Sequence, residues 1–188
     1  MRPSRVAAHF LFATLLSMTI AVPVAASGDQ PSAQTTVASV DLARYTGVWY
    51  EIARLPNRFQ KQCVRNATAT YTLRDDGRID VMNRCVDEDG EIAEAEGIAR
   101  VVDTTSRSKL EVSFVRIFGV PIFWGDYWII GLADDYRYAV IGTPSRSYAW
   151  ILSRTPVMTV ADRTRVDEIL RSQGYDPNDL LTTRQELK

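Results

Sequence analysis

Histidine is almost missing from this chain. The 188 residues hold one, His9, and it falls in a segment expected to be removed. Its loss takes away the Ser–His–Asp and Cys–His pairs that activate nucleophiles, along with every imidazole metal ligand. Cysteine is scarce too, with Cys63 and Cys85 the two in the chain. Basic runs are lacking, and 22 Lys and Arg stand against 23 Asp and Glu. Losing Arg2 and Arg5 takes the 22 to 20, a mildly acidic balance that argues against nucleic acid as a partner.

Long apolar runs are confined to Phe10–Val24, broken by Thr14, Ser17, Thr19 and Pro23. Arg2 and Arg5 precede this run and Ala25-Ala26-Ser27 follow it. The run is shorter than the roughly 20 apolar residues a spanning helix needs. It reads as a secretory signal peptide over residues 1–27, cleaved near Ala26 or Ser27. No cysteine follows it for lipid attachment, so the expectation is a periplasmic or secreted protein. In such a compartment a Cys63–Cys85 disulfide is the default.

Residues 28–40 are small and polar and read as a flexible leader; 41–188 read as one domain. Within that domain, short segments of period two are separated by turn signals. In Arg65–Arg74, Thr68, Thr70 and Thr72 alternate with Ala67, Ala69, Tyr71 and Leu73, which puts threonine outside. Asp75-Asp76-Gly77 is a tight turn. Eight such segments are expected: 47–54, 65–74, 79–86, 92–103, 109–116, 126–133, 136–142 and 148–154. No helix separates them, so the expectation is an all-β, antiparallel up-and-down barrel, whose closure removes exposed edges. Phe118–Phe123 reads as a loop. Thr159, with Asp162 three residues on, starts one C-terminal helix that Gly174 ends. Val160, Val166, Ile169 and Leu170 give that helix one apolar face, to be packed outside the barrel.

On the fourth segment, Ala93, Ala95, Gly97 and Ala99 share the inward face with Val101. They leave space that Tyr71, Phe114 and other aromatics could line, or they face large residues across a packed core. Composition leaves both open.

The motifs resemble those of the lipocalin family, specifically the bacterial outer-membrane lipocalins related to apolipoprotein D. Gly47-Val48-Trp49-Tyr50 matches the first-strand signature, Ala133-Asp134-Asp135-Tyr136 stands where Thr-Asp-Tyr is usual, and Arg154 closes the last strand. The match runs from about Leu42 to about Gln185. It implies a lipocalin calyx in which Gly47, Trp49 and Arg154 close one end, the arginine stacking over the indole. With Arg154 inward, strand parity turns Leu152, Trp150 and Tyr148 inward as well. On the first strand it turns Glu51 and Ala53 inward, and Glu51 must then be paired or functional. The resemblance also puts Trp124 and Trp128 near the ligand. A bridge between Cys63 and Cys85 meets a register objection, because the Asp75–Gly77 turn sets Cys85 opposite about Thr68. Bridging needs a bulge or a chain reversal before the second strand.

Three functions compete. The first is carriage or storage of a fatty acid or lysophospholipid, with Arg58, Arg65 or Arg116 meeting its head at the rim and no cofactor required. The second is an enzyme using Cys63 or Cys85 as nucleophile, which a disulfide would disable. The third is a protein-binding module with a filled barrel. It would use the apolar loop Phe118–Trp124, which could instead touch a membrane surface. Asn66-Ala67-Thr68 matches a glycosylation acceptor, but its place in a strand argues against use.

Overall fold

A computed structural model describes residues 33–186. The expected signal segment, residues 1–27, lies outside the described residues. A short helix, α1 (Leu42–Tyr45), is capped by the Asp41 carboxylate, which accepts from the amides of Ala43 and Arg44. The strands β1 (Gly47–Arg54), β2 (Arg65–Leu73), β3 (Ile79–Val86), β4 (Ile92–Val101) and β5 (Lys109–Ser113) follow. Then come β6 (Val115–Ile117), β7 (Val120–Ile122), β8 (Gly125–Leu132), β9 (Tyr138–Gly142) and β10 (Ala149–Ser153). β1–β5 and β8–β10 form one antiparallel sheet in chain order, and β10 pairs back onto β1 to close an eight-stranded barrel. The region expected as a loop is instead a second hairpin: β6 and β7 pair through Val115↔Ile122, and Phe118 and Gly119 form its turn at φ 50° and 81°. Positive φ at both central residues matches strand twist in a two-residue turn.

Helix α2 (Val160–Ser172) packs on the outside. Thr159 caps it, accepting from the Asp162 amide. Val166 and Leu170 are fully buried against Ile130, Val140 and Ile151, which point outward from the barrel. Val160 at the start of the expected stripe stays exposed. A separate apolar cluster fills the lower interior, built on Trp49, Ile129, Ile141 and Leu152. Apolar surface on both faces explains why β9 is buried at every position.

Two departures from simple alternation shape the interior. Along β1, Glu51 opposes Leu152, but Ala53 opposes Ile151, so Ile52 is an inserted bulge residue. Along β2, pairing slips between Arg65↔Val86 and Thr68↔Arg84, with Asn66 at φ 54°. This second bulge answers the register objection: Cys63 and Cys85 form a disulfide with Cα atoms 5.5 Å apart. Asparagine tolerates the left-handed region better than most residues.

β1 and β2 pair only from Gly47↔Tyr71 to Tyr50↔Thr68. Above that point the chain after α2 fills the gap. β11 (Leu181–Thr182) pairs with Arg54 and Ala53, the Thr183 amide donates to Ile52 O, and the Asn66 amide donates to Arg184 O. Gln185 Nε2 donates to the carbonyls of Glu51 and Ala67, both at 2.8 Å. Of the expected flexible leader, residues 33–40 are held against the barrel. The Val37 amide donates to Ile129 O at 3.0 Å, Gln34 Nε2 donates to Tyr175 Oη, and Val40 is buried. Small polar side chains hid this packing, because Gln34, Thr35 and Thr36 are themselves anchors, bonded to Tyr175, Gln173 and Ser108, residues far away in the chain.

Candidate functional site

One end of the barrel is shut from the residues up. Gly47 takes φ +94°, which disfavours any side chain, and a Cβ there would stand 3.4 Å from the Arg154 guanidinium. Trp49, next but one, is fully buried, and its indole N–H donates to Tyr45 O at 2.8 Å. The Arg154 guanidinium lies 3.8 Å from the Trp49 ring centroid and donates to the carbonyls of Val48, Arg44 and Tyr45. The stacking is worth roughly 0.5–2 kcal/mol.

Above this floor the barrel is hollow, with a cavity of about 770 Å³. Its mouth lies at the strand ends that carry the β1–β2 loop, the β3–β4 turn, hairpin β6–β7 and the β9–β10 loop. Arg58 and Phe59 of the first, Phe123 just after β7 and Ser145 of the last join the lining. Ala93, Ala95 and Ala99 line one wall. Gly97 serves differently: a Cβ there would lie 2.7 Å from the Phe114 ring, which folds inward over it. The third expectation, a filled barrel, is therefore corrected. Small residues on β4 leave volume that nothing opposite occupies.

At the floor three phenols meet. Tyr127 Oη is 2.7 Å from Tyr45 Oη and 2.9 Å from Tyr71 Oη. Burial raises the pKa of all three, Tyr71 to about 12 and the others well above their ordinary value. All three are neutral hydrogen-bonding groups at any physiological pH.

Higher on the wall, Glu51 is buried and fully partnered. Arg54 Nη1 donates to Oε1 at 2.9 Å, Gln60 Nε2 to Oε2 at 2.7 Å, and the Thr183 hydroxyl also donates to Oε1. Trp150 Nε1 donates to Gln60 Oε1 at 2.9 Å, which ties the indole to the same network. The rings of Phe59, Tyr148 and Trp150 run from rim to wall with centroids 5.6 and 5.9 Å apart.

The structure brings Trp150, Tyr148, Tyr71, Phe114 and Glu51 together around one cavity. Three expected lining residues are elsewhere. Ala53 is fully buried, but outside the cavity in the layer beneath α2, because the Ile52 bulge reverses parity and turns Arg54 inward instead. Trp128 opposes Lys109 on the outer face, with the ammonium 4.5 Å from its ring. Trp124 also lies outside, under the Arg100 guanidinium at 4.1 Å. Tyr127 takes the inward place on β8 because it opposes Leu110. Reading Leu110 inward would have found Tyr127, had the register through the intervening hairpin been known. Of the rim arginines, Arg58 lines the mouth, Arg65 pairs with Glu186 at 3.2 Å, and Arg116 is exposed on the hairpin. Tyr45, Arg54, Gln60 and Thr183 carried no sequence signal, since each reaches the site through a cap, a bulge or the C-terminal strap.

Among the described residues no cluster of His, Cys, Asp and Glu could hold a metal ion, and no helix is long and apolar enough to cross a membrane. With both cysteines bridged, neither offers a thiolate.

Residues 40–185 match the model of the lipocalin-like domain. The chain is a lipocalin. This lipocalin is 39% identical over 165 residues to the outer membrane lipoprotein Blc of Citrobacter freundii, covering 87% of this chain and 90% of the relative. It is 41% identical over 152 residues to temperature-induced lipocalin-1 of Arabidopsis thaliana, covering 79% and 81%. Apolipoprotein D of Mus musculus is 32% identical, covering 77% of each chain. Among solved structures, insecticyanin from the tobacco hornworm Manduca sexta superposes with a TM-score of 0.65 at 24% identity, covering 81% of this lipocalin and 84% of that chain. That likeness extends to the fold.

Proposed function

We propose that this lipocalin carries or stores one lipid-like amphiphile, a fatty acid or lysophospholipid, in the service of envelope lipid maintenance. The observation that carries the reading is the hollow interior of about 770 Å³, within the roughly 300–1,000 Å³ usual for ligand sites. Each methylene moved from water into it contributes about 0.8 kcal/mol. The tail lies among Ala95, Ala99 and Leu110, the ring lane of Phe59, Tyr148 and Trp150 flanks its path, and Arg58 meets an anionic head at the mouth. The signal-like N-terminus and the outer membrane lipoproteins among its relatives support an exported, periplasmic or secreted protein working at the outer membrane. Hairpin β6–β7, with Phe118 fully exposed and Phe123 at 80%, is suited to brief contact with a membrane surface.

Native mass spectrometry of protein purified without detergent tests this. A co-purified acyl lipid at one per chain, with tryptophan quenching that weakens in Trp150→Phe, is expected. An empty barrel whose fluorescence no amphiphile perturbs would overturn the proposal.

A further inference from the structure

The polar floor of the cavity is more than barrel closure requires. Trp49 and Arg154 already shut that end with their own stacking and hydrogen bonds. Tyr45, Tyr71 and Tyr127 nevertheless line the cavity, and each contributes its hydroxyl at the closed end, among the apolar side chains below the Glu51 network. Phenylalanine would serve packing equally there, so the three oxygens ask for another account.

Counting protons gives one. Tyr127 Oη contacts Tyr45 Oη and Tyr71 Oη, and those are the only two hydrogen bonds the three hydroxyls make among the described residues. Three hydroxyls carry three protons, and an open chain of two bonds uses two of them. Among the described residues one phenolic proton is left without a protein acceptor, and most of the oxygen lone pairs take no protein donor. Withholding a partner from a buried donor carries a cost that a ligand can lift.

We propose that the Tyr45–Tyr127–Tyr71 chain is a second polar subsite, taking a neutral oxygen such as a hydroxyl, ketone or ester carbonyl on the buried end of the ligand. This inference rests on the carrier reading and deepens it. The preferred ligand is bifunctional: an ionised or zwitterionic head at the Arg58 side of the mouth, an apolar middle, and a neutral oxygen at the far end. An anion is disfavoured at the floor. Arg154, the cation whose charge acts on Tyr45, is engaged by the Trp49 face and by the carbonyls of Val48, Arg44 and Tyr45. The phenols stay neutral, since burial raises the pKa of each.

Calorimetric titration with the unmodified acids from decanoate to hexadecanoate, and with their ω-hydroxy counterparts, tests the subsite. For the chain length that reaches the floor, wild type is expected to bind the ω-hydroxy acid about three- to tenfold more tightly than the plain acid, the value of one neutral hydrogen bond. The triple variant Tyr45→Phe/Tyr71→Phe/Tyr127→Phe, which leaves no hydroxyl in the chain of phenols, should abolish that preference while binding of the plain acid holds or tightens. Equal binding of both series by wild type, or a preference that survives the triple substitution, would overturn the subsite and leave carriage intact. Failure of every acid in both series would overturn carriage, and the subsite with it.

Discussion

Glu51 would be costly to bury alone, and the structure shows what offsets that cost. Its carboxylate accepts from Arg54, Gln60 and Thr183, so the charge is spread over three donors from three separate segments. Breaking such a pair is expensive because the survivor is left uncompensated, whereas replacing both partners often costs little. Glu51→Ala should therefore lower stability by about 3 kcal/mol in urea unfolding. The double variant Glu51→Leu/Arg54→Leu should lie closer to wild type than either single change. Equal losses from the single and double variants would show that the pair contributes through packing alone. Parity reasoning identified Glu51 as a buried charge but not its partner. Arg54 turns inward only because Ile52 is inserted, and an isoleucine in a strand gives no sign of a bulge.

Strands and helix were legible because each rests on periodicity, caps and turn residues of its own. Thr159 and Asp162 mark the start of α2, and alternation on β2 holds through Tyr71. Legibility ended where one element depends on another. Likeness to relatives puts Trp124 and Trp128 near the ligand, yet both lie on the outer face. Their true face follows from pairing with β5 across a hairpin whose length and twist the sequence does not announce. That hairpin carries the clearest element-scale prediction. Val115, Ile117 and Val120 on its strands, Phe118 in its turn and Phe123 just after it are all exposed. Phe118→Ser/Phe123→Ser should reduce co-sedimentation with phospholipid vesicles several-fold and leave the melting temperature within a degree or two, since neither ring is buried. Unchanged vesicle binding with loss of a captured protein would assign the hairpin to a protein contact instead.

Across the whole molecule, titration is set by what the chain lacks. Among the described residues there is no histidine, so nothing with an ordinary pKa near neutrality titrates. Asp76 and Asp135 are held low by hydrogen bonds from Arg78 and Arg137, and Asp162 by Arg137. A carboxylate with a depressed folded pKa contributes stability above its unfolded pKa, and that contribution is lost as pH falls through the folded value. The tyrosines act at the other limit. Their folded pKa values are raised, so the unfolded chain releases these protons first, and stability falls as pH climbs from the ordinary tyrosine value of 10.0 through about 12, where Tyr71 titrates. Thermal melts should accordingly be flat between about pH 5 and pH 9, fall below about pH 4, and fall again above about pH 10. A step near neutrality would contradict this assignment.

At the same scale, function follows from an interior left unfilled by small residues on one strand. The most direct test is a fluorescence titration of delipidated protein with a long-chain fatty acid, wild type beside Ala95→Trp. Ala95 faces the cavity with open space around it, so an indole there occupies ligand volume without disturbing the core. Saturable binding at one per chain in wild type, weakened at least about tenfold in Ala95→Trp at unchanged melting temperature, is the predicted result. Equal affinity in both proteins would place the ligand outside the barrel and contradict the account.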